Sequence, residues 1–313
     1  MQNDLLKLFP GSIRYLFREV ADQRRDVQEV RIRVNAPIIV IRNGKEYFLT
    51  EDGRYTGEIR DARKISENEL EEIFRHICNY SVYAYEDEIR QGYITVTGGH
   101  RVGIAGQVVL DDECHIRTLK HIRYLNIRVS HEVIGVSKSI LPFLYQNGML
   151  YNTLIVSPPG CGKTTMLRDL IREISNGNEY GKGKTVGVVD ERSELAGCYM
   201  GVAQNDLGIR TDILDGCPKV LGMLQLIRAM SPSVIAVDEL GDEKDTKAVL
   251  KALCCGCSII ATIHAENHEE LLRKDFFLPL YERKAFQRFL YMKKEEGKCM
   301  VAGIYDIEGA KIC

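Results

Sequence analysis

One short stretch near the middle of the chain constrains its fold more than any other. Leu154-Ile155-Val156-Ser157-Pro158-Pro159-Gly160-Cys161-Gly162-Lys163-Thr164-Thr165 passes from an apolar run through a glycine-punctuated loop into helical residue types. Glycines at 160 and 162 keep backbone N–H groups reachable where a Cβ would block a large anion. Lys163 adds a point charge, and a helix beginning near it aims the positive end of its dipole at the same place. These are the needs of a phosphate cradle. The stretch therefore predicts a P-loop over residues 157–165, taking ATP with Lys163 on the terminal phosphates and the Thr164 hydroxyl on Mg²⁺. Ser157 stands where the strict G-x-x-x-x-G-K-[ST] pattern has its first glycine. The strand–loop–helix context survives that change, and a fortuitous glycine turn is the competing reading.

A P-loop needs a parallel sheet behind it, and the C-terminal part of the chain supplies the pattern. Beyond Gln146-Asn147-Gly148, read here as the hinge, short apolar runs at 153–156, 185–189, 233–237 and 258–263 alternate with helical stretches at 163–175, 220–230 and 245–253. Apolar strands of this length between helices predict a parallel sheet covered on both faces. Ligands on such sheets bind at the carboxyl ends of the strands.

Each further polar motif falls at such an end. Ser233-Val-Ile-Ala-Val-Asp238-Glu239 places Asp238 to hold the metal through water and Glu239 to polarise the attacking water, unless the pair only caps the next helix. In Ile260-Ala-Thr262-Ile-His264, Thr262 and His264 sense the γ-phosphate or bond back to Glu239, or form a satisfied polar strand end. Asp190-Glu191-Arg192-Ser193-Glu194 ends another strand. Its acids, Asp190 and Glu191 first, either orient water and metal beside the nucleotide or cap a helix.

The first part of the chain reads differently. Residues 4–21 carry apolar residues near helical spacing, and Val30, Ile32 and Val34 alternate with Arg31 and Arg33 as in a strand. Asn43-Gly44 is a hairpin turn, and Ser66 with Glu69 opens a capped helix through Ile77. Strand patterns return at 93–97 and 100–110, then at 126–129 before a helix-like run ending near Tyr145. This predicts an α+β domain over 1–145 ahead of an α/β domain over 146–313. Arg101 and the pair Arg123 and Arg128 lie on its strands. They either occupy a solvated strand face or reach a phosphate across a subunit boundary.

Composition narrows the class. With 313 residues, 45% hydrophobic and 27% charged, the chain can bury a substantial core. The apolar runs are too short for a transmembrane helix, and the first ten residues lack a signal-peptide core, so a cytoplasmic protein is expected. A net charge of −2 offers no field for a polyanion, and residues 1–135 balance Lys and Arg against Asp and Glu. No nucleic-acid partner is expected. The ten cysteines are read as reduced and mostly buried; Cys254-Cys255-Gly256-Cys257 lacks the second ligand pair of a zinc site.

Taken together, the motifs resemble the type II and type IV secretion ATPases. Within that superfamily Gly92-Tyr-Ile-Thr-Val-Thr-Gly-Gly-His-Arg-Val-Gly-Ile-Ala-Gly106, Arg210-Thr-Asp-Ile-Leu-Asp-Gly-Cys-Pro-Lys219 and Ile227-Arg-Ala-Met-Ser-Pro232 resemble the stage III sporulation protein AA family of endospore-forming bacteria. The resemblance implies a RecA-like P-loop domain with a mainly parallel sheet after an α+β domain. It further implies an ATPase motor in a homo-oligomer, a hexamer, working in the mother cell. That motor sits peripheral to the membrane and energises a channel or assembly machine through small membrane proteins. Glu239, Lys163 and His264 then serve catalysis, with Arg128 or Arg101 acting between subunits. One departure is Gly241, where the broader superfamily carries an arginine. Two other readings stay open, an ATPase acting on single-stranded nucleic acid and a nucleotide-gated scaffold; the first lacks a basic groove, and an intact Glu239 argues against the second.

Overall fold

A computed structural model describes residues 4–295 and 297–313. The chain divides into two compact units. The first ends at His131 and also holds Gly197–Gln204; the second comprises Glu132–Ala196 and Asn205–Cys313.

The first unit is an antiparallel sheet with helices on one face. Its strands are β1 (Val27–Arg33), β2 (Ile39–Arg42), β3 (Lys45–Leu49), β4 (Tyr55–Thr56), β5 (Tyr93–Val96), β6 (His100–Leu110) and β7 (Ile116–Arg128), in the order β4-β3-β2-β1-β7-β6-β5. Asn43 and Gly44 both take positive φ, 48° and 74°, so they form the two-residue turn joining β2 to β3. Val30, Ile32, Val102, Ile104, Leu125 and Ile127 are buried on one face, while Glu29, Arg31 and Arg33 fall on the other. Helices α1 (Arg18–Asp22), α2 (Glu67–Ile77) and α3 (Glu86–Gln91) belong to this unit. The Ser66 hydroxyl accepts from the Glu69 N–H and the Glu69 carboxylate accepts from the Ser66 N–H, closing the capping box that starts α2. Leu70, Ile73, Phe74 and Ile77 then bury one face of α2. Each such side chain contributes about 1.5–3 kcal/mol through area removed from water.

Two sequence expectations change here. Residues 4–21 form 3₁₀ turns at Leu6–Leu8 and Arg14–Phe17 before α1, because Pro10-Gly11 interrupts the helix, although Leu5, Leu8, Ile13, Leu16 and Phe17 are all buried. The strand expected at 126–129 is the end of the much longer β7.

The second unit has strands β8 (Tyr145–Gln146), β9 (Met149–Leu150), β10 (Thr153–Ser157), β11 (Val186–Asp190), β12 (Thr211–Asp215), β13 (Val234–Val237), β14 (Ser258–His264), β15 (Arg288–Glu295) and β16 (Lys298–Tyr305). Seven of them form one sheet in the order β12-β11-β13-β14-β10-β15-β16, parallel except for the β15–β16 pair. Its helices are α4 (Leu141–Leu144), α5 (Lys163–Asn176), α6 (Lys219–Met230), α7 (Glu243–Cys254), α8 (His268–Leu272) and α9 (Leu278–Glu282). Every residue of β10, β11 and β13 is buried, as a sheet covered on both faces requires. Gln146-Asn147-Gly148, read above as the hinge, lies inside this unit. Asn147 and Gly148, with φ of 51° and 78°, form the tight turn between β8 and β9. The compact units part after His131, upstream of the expected 145/146 boundary.

The cysteines also depart from expectation. Cys78, Cys161, Cys198 and Cys257 are buried, but Cys114, Cys254, Cys255, Cys299 and Cys313 are exposed. Cys254 and Cys255 end α7, where the last turn faces solvent. Among the described residues no helix is long and apolar enough to cross a membrane, and no group of three or more His, Cys, Asp or Glu is arranged to hold a metal ion.

Candidate nucleotide site

The site grows from the end of β10. Ser157 is buried and turns its hydroxyl onto the Pro158 carbonyl at 2.9 Å, so it shapes the loop entrance. Pro158, Pro159 and Cys161 complete the bend. Gly160 and Gly162 take φ of 72° and 80°, which side chains with a Cβ rarely adopt. A Cβ on Gly160 would point into open space. The cradle thus keeps an open approach to its backbone there. Gly162 caps α5 with no side-chain bond to the helix, leaving the first N–H groups for an outside acceptor. Lys163, Thr164 and Thr165 begin that helix.

Strand order decides what meets the loop. β14 lies between β10 and β13, and its register pairs Ser157 with His264. The end of β14 is therefore wedged between the P-loop and Asp238-Glu239. Lys163 Nζ lies 3.0 Å from His264 Nδ1 and 3.3 Å from Nε2. Burial pulls the Lys163 ammonium below the usual lysine value, and the carboxylates of Asp238 and Glu239 pull it back. His264 Nε2 also stands 3.7 Å from Glu239 Oε1.

Asp238 is held between two hydroxyls. Thr164 Oγ1 donates to Oδ2 at 2.9 Å and Thr262 Oγ1 donates to Oδ1 at 2.5 Å. Thr262, fully buried, also accepts from the Glu239 N–H at 2.8 Å. A hydroxyl and a carboxylate side by side at a phosphate cradle are the oxygen donors a Mg²⁺ ion takes from protein when substrate phosphates and water supply the rest. The residues fit the ion.

The acidic stretch after β11 divides by role. Asp190 is buried, and its two oxygens accept from the N–H groups of Glu194, Leu195 and Ala196 at 2.8–3.0 Å. Burial pushes its pKa up while those N–H groups hold it down. Asp190, read from the sequence as a nucleotide contact, has both oxygens engaged by N–H groups of its own loop and lines one small pocket with Asp238 and Glu239. Glu191 faces Lys219 at 3.5 Å, and Arg192 Nη1 sits 3.1 Å from Glu239 Oε2. The sequence reading passed over both cations. Lys219 carried a signal: a lysine at the first position of a helix opposes its dipole and calls for nearby acids. Asp238 and Glu239 do not cap the following helix. Asp242 does, accepting from the Asp245 N–H.

The arginines of the first unit form a group of their own. Register places Arg101, Arg128 and Glu29 side by side on β6, β7 and β1. Arg128 is exposed, and the Arg101 guanidinium lies 3.7 Å from the centre of the Tyr93 ring. Arg123 pairs with Glu67.

With this geometry in view, comparisons with known proteins agree with it. Residues 1–312 match the family described as "Sporulation stage III, protein AA". The chain is 40% identical to stage III sporulation protein AA of Bacillus subtilis (strain 168) over 308 residues, covering 98% of this chain and 96% of that protein. Among solved structures it resembles the ATPase DotB of Legionella pneumophila, with a TM-score of 0.62 at 14% identity over 96% of this chain and 81% of that one. It likewise resembles the pilus retraction motor PilT with bound ADP, with a TM-score of 0.61 at 15% identity over 92% and 81%. The fold is that of the RecA-like secretion ATPases, with an antiparallel-sheet region ahead of the mostly parallel sheet.

Proposed function

This chain belongs to the stage III sporulation protein AA family, and from that premise we propose that it hydrolyses ATP with Mg²⁺. The observation that carries the proposal is the meeting of Lys163, Thr164, Asp238 and Glu239 at one end of a parallel sheet, beside an open glycine loop and a free helix N-terminus. The loop N–H groups and Lys163 take the β- and γ-phosphates, with Lys163 leaving His264 to do so. Thr164 and Asp238 hold Mg²⁺, which when bound neutralises charge on the phosphates. Glu239 accepts a proton from the attacking water as the new P–O bond forms and the bond to the ADP oxygen breaks. His264 orients the Glu239 carboxylate from the side facing the loop.

The work done with this ATP is that of a motor in endospore formation. This reading is supported by the relative's name, a sporulation protein, and by the fold, which resembles those of the ATPase DotB and the pilus retraction motor PilT. On this reading the chain forms a homo-oligomeric ring, a hexamer, in the mother cell. It docks at the membrane through small membrane proteins and energises a channel or assembly there. Arg128, exposed at the end of β7, reaches the nucleotide of a neighbouring subunit, with Arg101 beside it.

Lys163→Ala tests the site. Phosphate release should fall by at least about 10²-fold, as expected when one electrostatic contact to the transition state is removed. Turnover within a few-fold of the unmodified chain would refute the assignment.

A further inference from the structure

Glu239 has an unusual main chain. Its φ is +55°, in the left-handed region that a glutamate enters at a cost. A non-glycine residue stays there only when its surroundings fix it. Both of its main-chain polar groups are gripped from outside. Thr262 accepts from the N–H at 2.8 Å, and the Lys219 ammonium donates to the carbonyl at 2.6 Å.

Lys219 is placed for this. Its ammonium is largely buried, with the side chain 15% exposed, and it also lies 3.3 Å from Asp245 Oδ2 and 3.5 Å from Glu191 Oε2. Asp245 is itself buried and accepts from the Gly241 N–H at 2.9 Å, in the loop that follows Glu239. One cation thus joins the loop after β11, the loop after β13, and the first turns of α6 and α7. A lysine at the first position of α6 works against the helix dipole. The two carboxylates offset that opposition, and the ammonium donates to the carbonyl. The hydrogen bond of the ammonium thus goes to the backbone of the residue that accepts the water proton.

We propose that Lys219 is a positioning residue for hydrolysis, holding the Glu239 main chain in its left-handed turn so that the carboxylate faces the phosphate site. The proposal rests on the reading of this site as an ATPase. Lys219 touches neither the P-loop nor the oxygens of Asp238 in the contacts described, so it acts on turnover and leaves nucleotide binding alone. Without the ammonium, the peptide after Glu239 is free to relax toward an ordinary conformation, and that rotation swings the carboxylate away from the water. A displacement of about 1 Å at a reacting group costs on the order of 10²-fold in rate.

The test compares Lys219→Met and Lys219→Gln with the unmodified chain, measuring thermal unfolding, affinity for a fluorescent ATP analogue, and kcat and KM for ATP. Lys219→Met should lower kcat by about 10²-fold while KM and analogue affinity stay within about threefold. Lys219→Gln restores a neutral donor to the Glu239 carbonyl and should recover part of the lost kcat. A folded variant with kcat within twofold of the unmodified chain overturns the proposal, as does a rise in KM at constant kcat. Loss of folding in both variants overturns it too, since the lysine would then be structural. An unmodified chain that binds the analogue but releases no phosphate would instead defeat the ATPase reading.

Discussion

The two seven-stranded sheets of this chain sort their polar residues by opposite rules. In the second unit the central strands are buried on both faces, so polar side chains are driven to the strand ends. Lys163, Asp238, Glu239, Thr262 and His264 meet there because the carboxyl ends share one edge. In the first unit one face of an antiparallel sheet is buried and the other is not, so polar residues recur at every second position. Glu29, Arg31, Arg33, Arg101 and Arg128 all fit that alternation. A polar residue at a strand end of the second unit therefore calls for a role of its own, whereas an arginine on a strand of the first unit is the default.

The largest effect on stability that would sharpen this contrast involves His100, a polar residue on the wrong side of the first sheet. It is 1% exposed, and its Nδ1 accepts from the Ser130 N–H at 3.0 Å. Burial, helped by the charge of Arg24, pushes its pKa down to about 4 from the usual 6.5. The unfolded chain therefore takes up the proton first. The contribution of His100 is complete above about pH 6.5 and is lost as pH falls toward about 4, a change of up to about 3 kcal/mol. Protection from amide exchange at Val102 and Ile127 should fall steeply across that window, and His100→Gln should flatten the fall. An unchanged slope would mean that the neutral imidazole is not what the fold requires.

A smaller effect bears on Arg128. Removing this exposed side chain should change stability by less than about 0.5 kcal/mol. If alternation were its whole explanation, hydrolysis would be untouched. The ring proposal predicts that Arg128→Ala loses turnover and that mixing it with a Lys163→Ala subunit bearing the intact arginine restores activity. Co-assembly without recovery would return Arg128 to the default.

The same contrast governs what the sequence discloses. The P-loop, Asp238-Glu239 and Thr262-His264 were legible because each sits where a short apolar run stops, and the Ser66–Glu69 box because its chemistry is local. Residues whose roles depend on distant partners were hidden. Lys219 acquires its meaning from Glu191, Asp245 and the Glu239 carbonyl, on three other segments. Asp190 also gathers three N–H groups of its own loop, a role that its place at a strand end did not disclose. The edge strand β12 and the β15–β16 hairpin, half exposed and mixed in composition, carried no clear periodicity. Asn147-Gly148 showed a turn but not whether the turn lay within a unit or between two.

The central claim, that Glu239 takes the proton from the attacking water, meets its most direct test in Glu239→Gln. The variant keeps Lys163, Thr164 and Asp238, so it should bind ATP and Mg²⁺ within about threefold of the unmodified chain. In a single-turnover assay with radiolabelled ATP it should release phosphate at least about 10²-fold more slowly, leaving intact ATP on the protein. Phosphate release at the unmodified rate would contradict the account and leave Glu239 a structural acid.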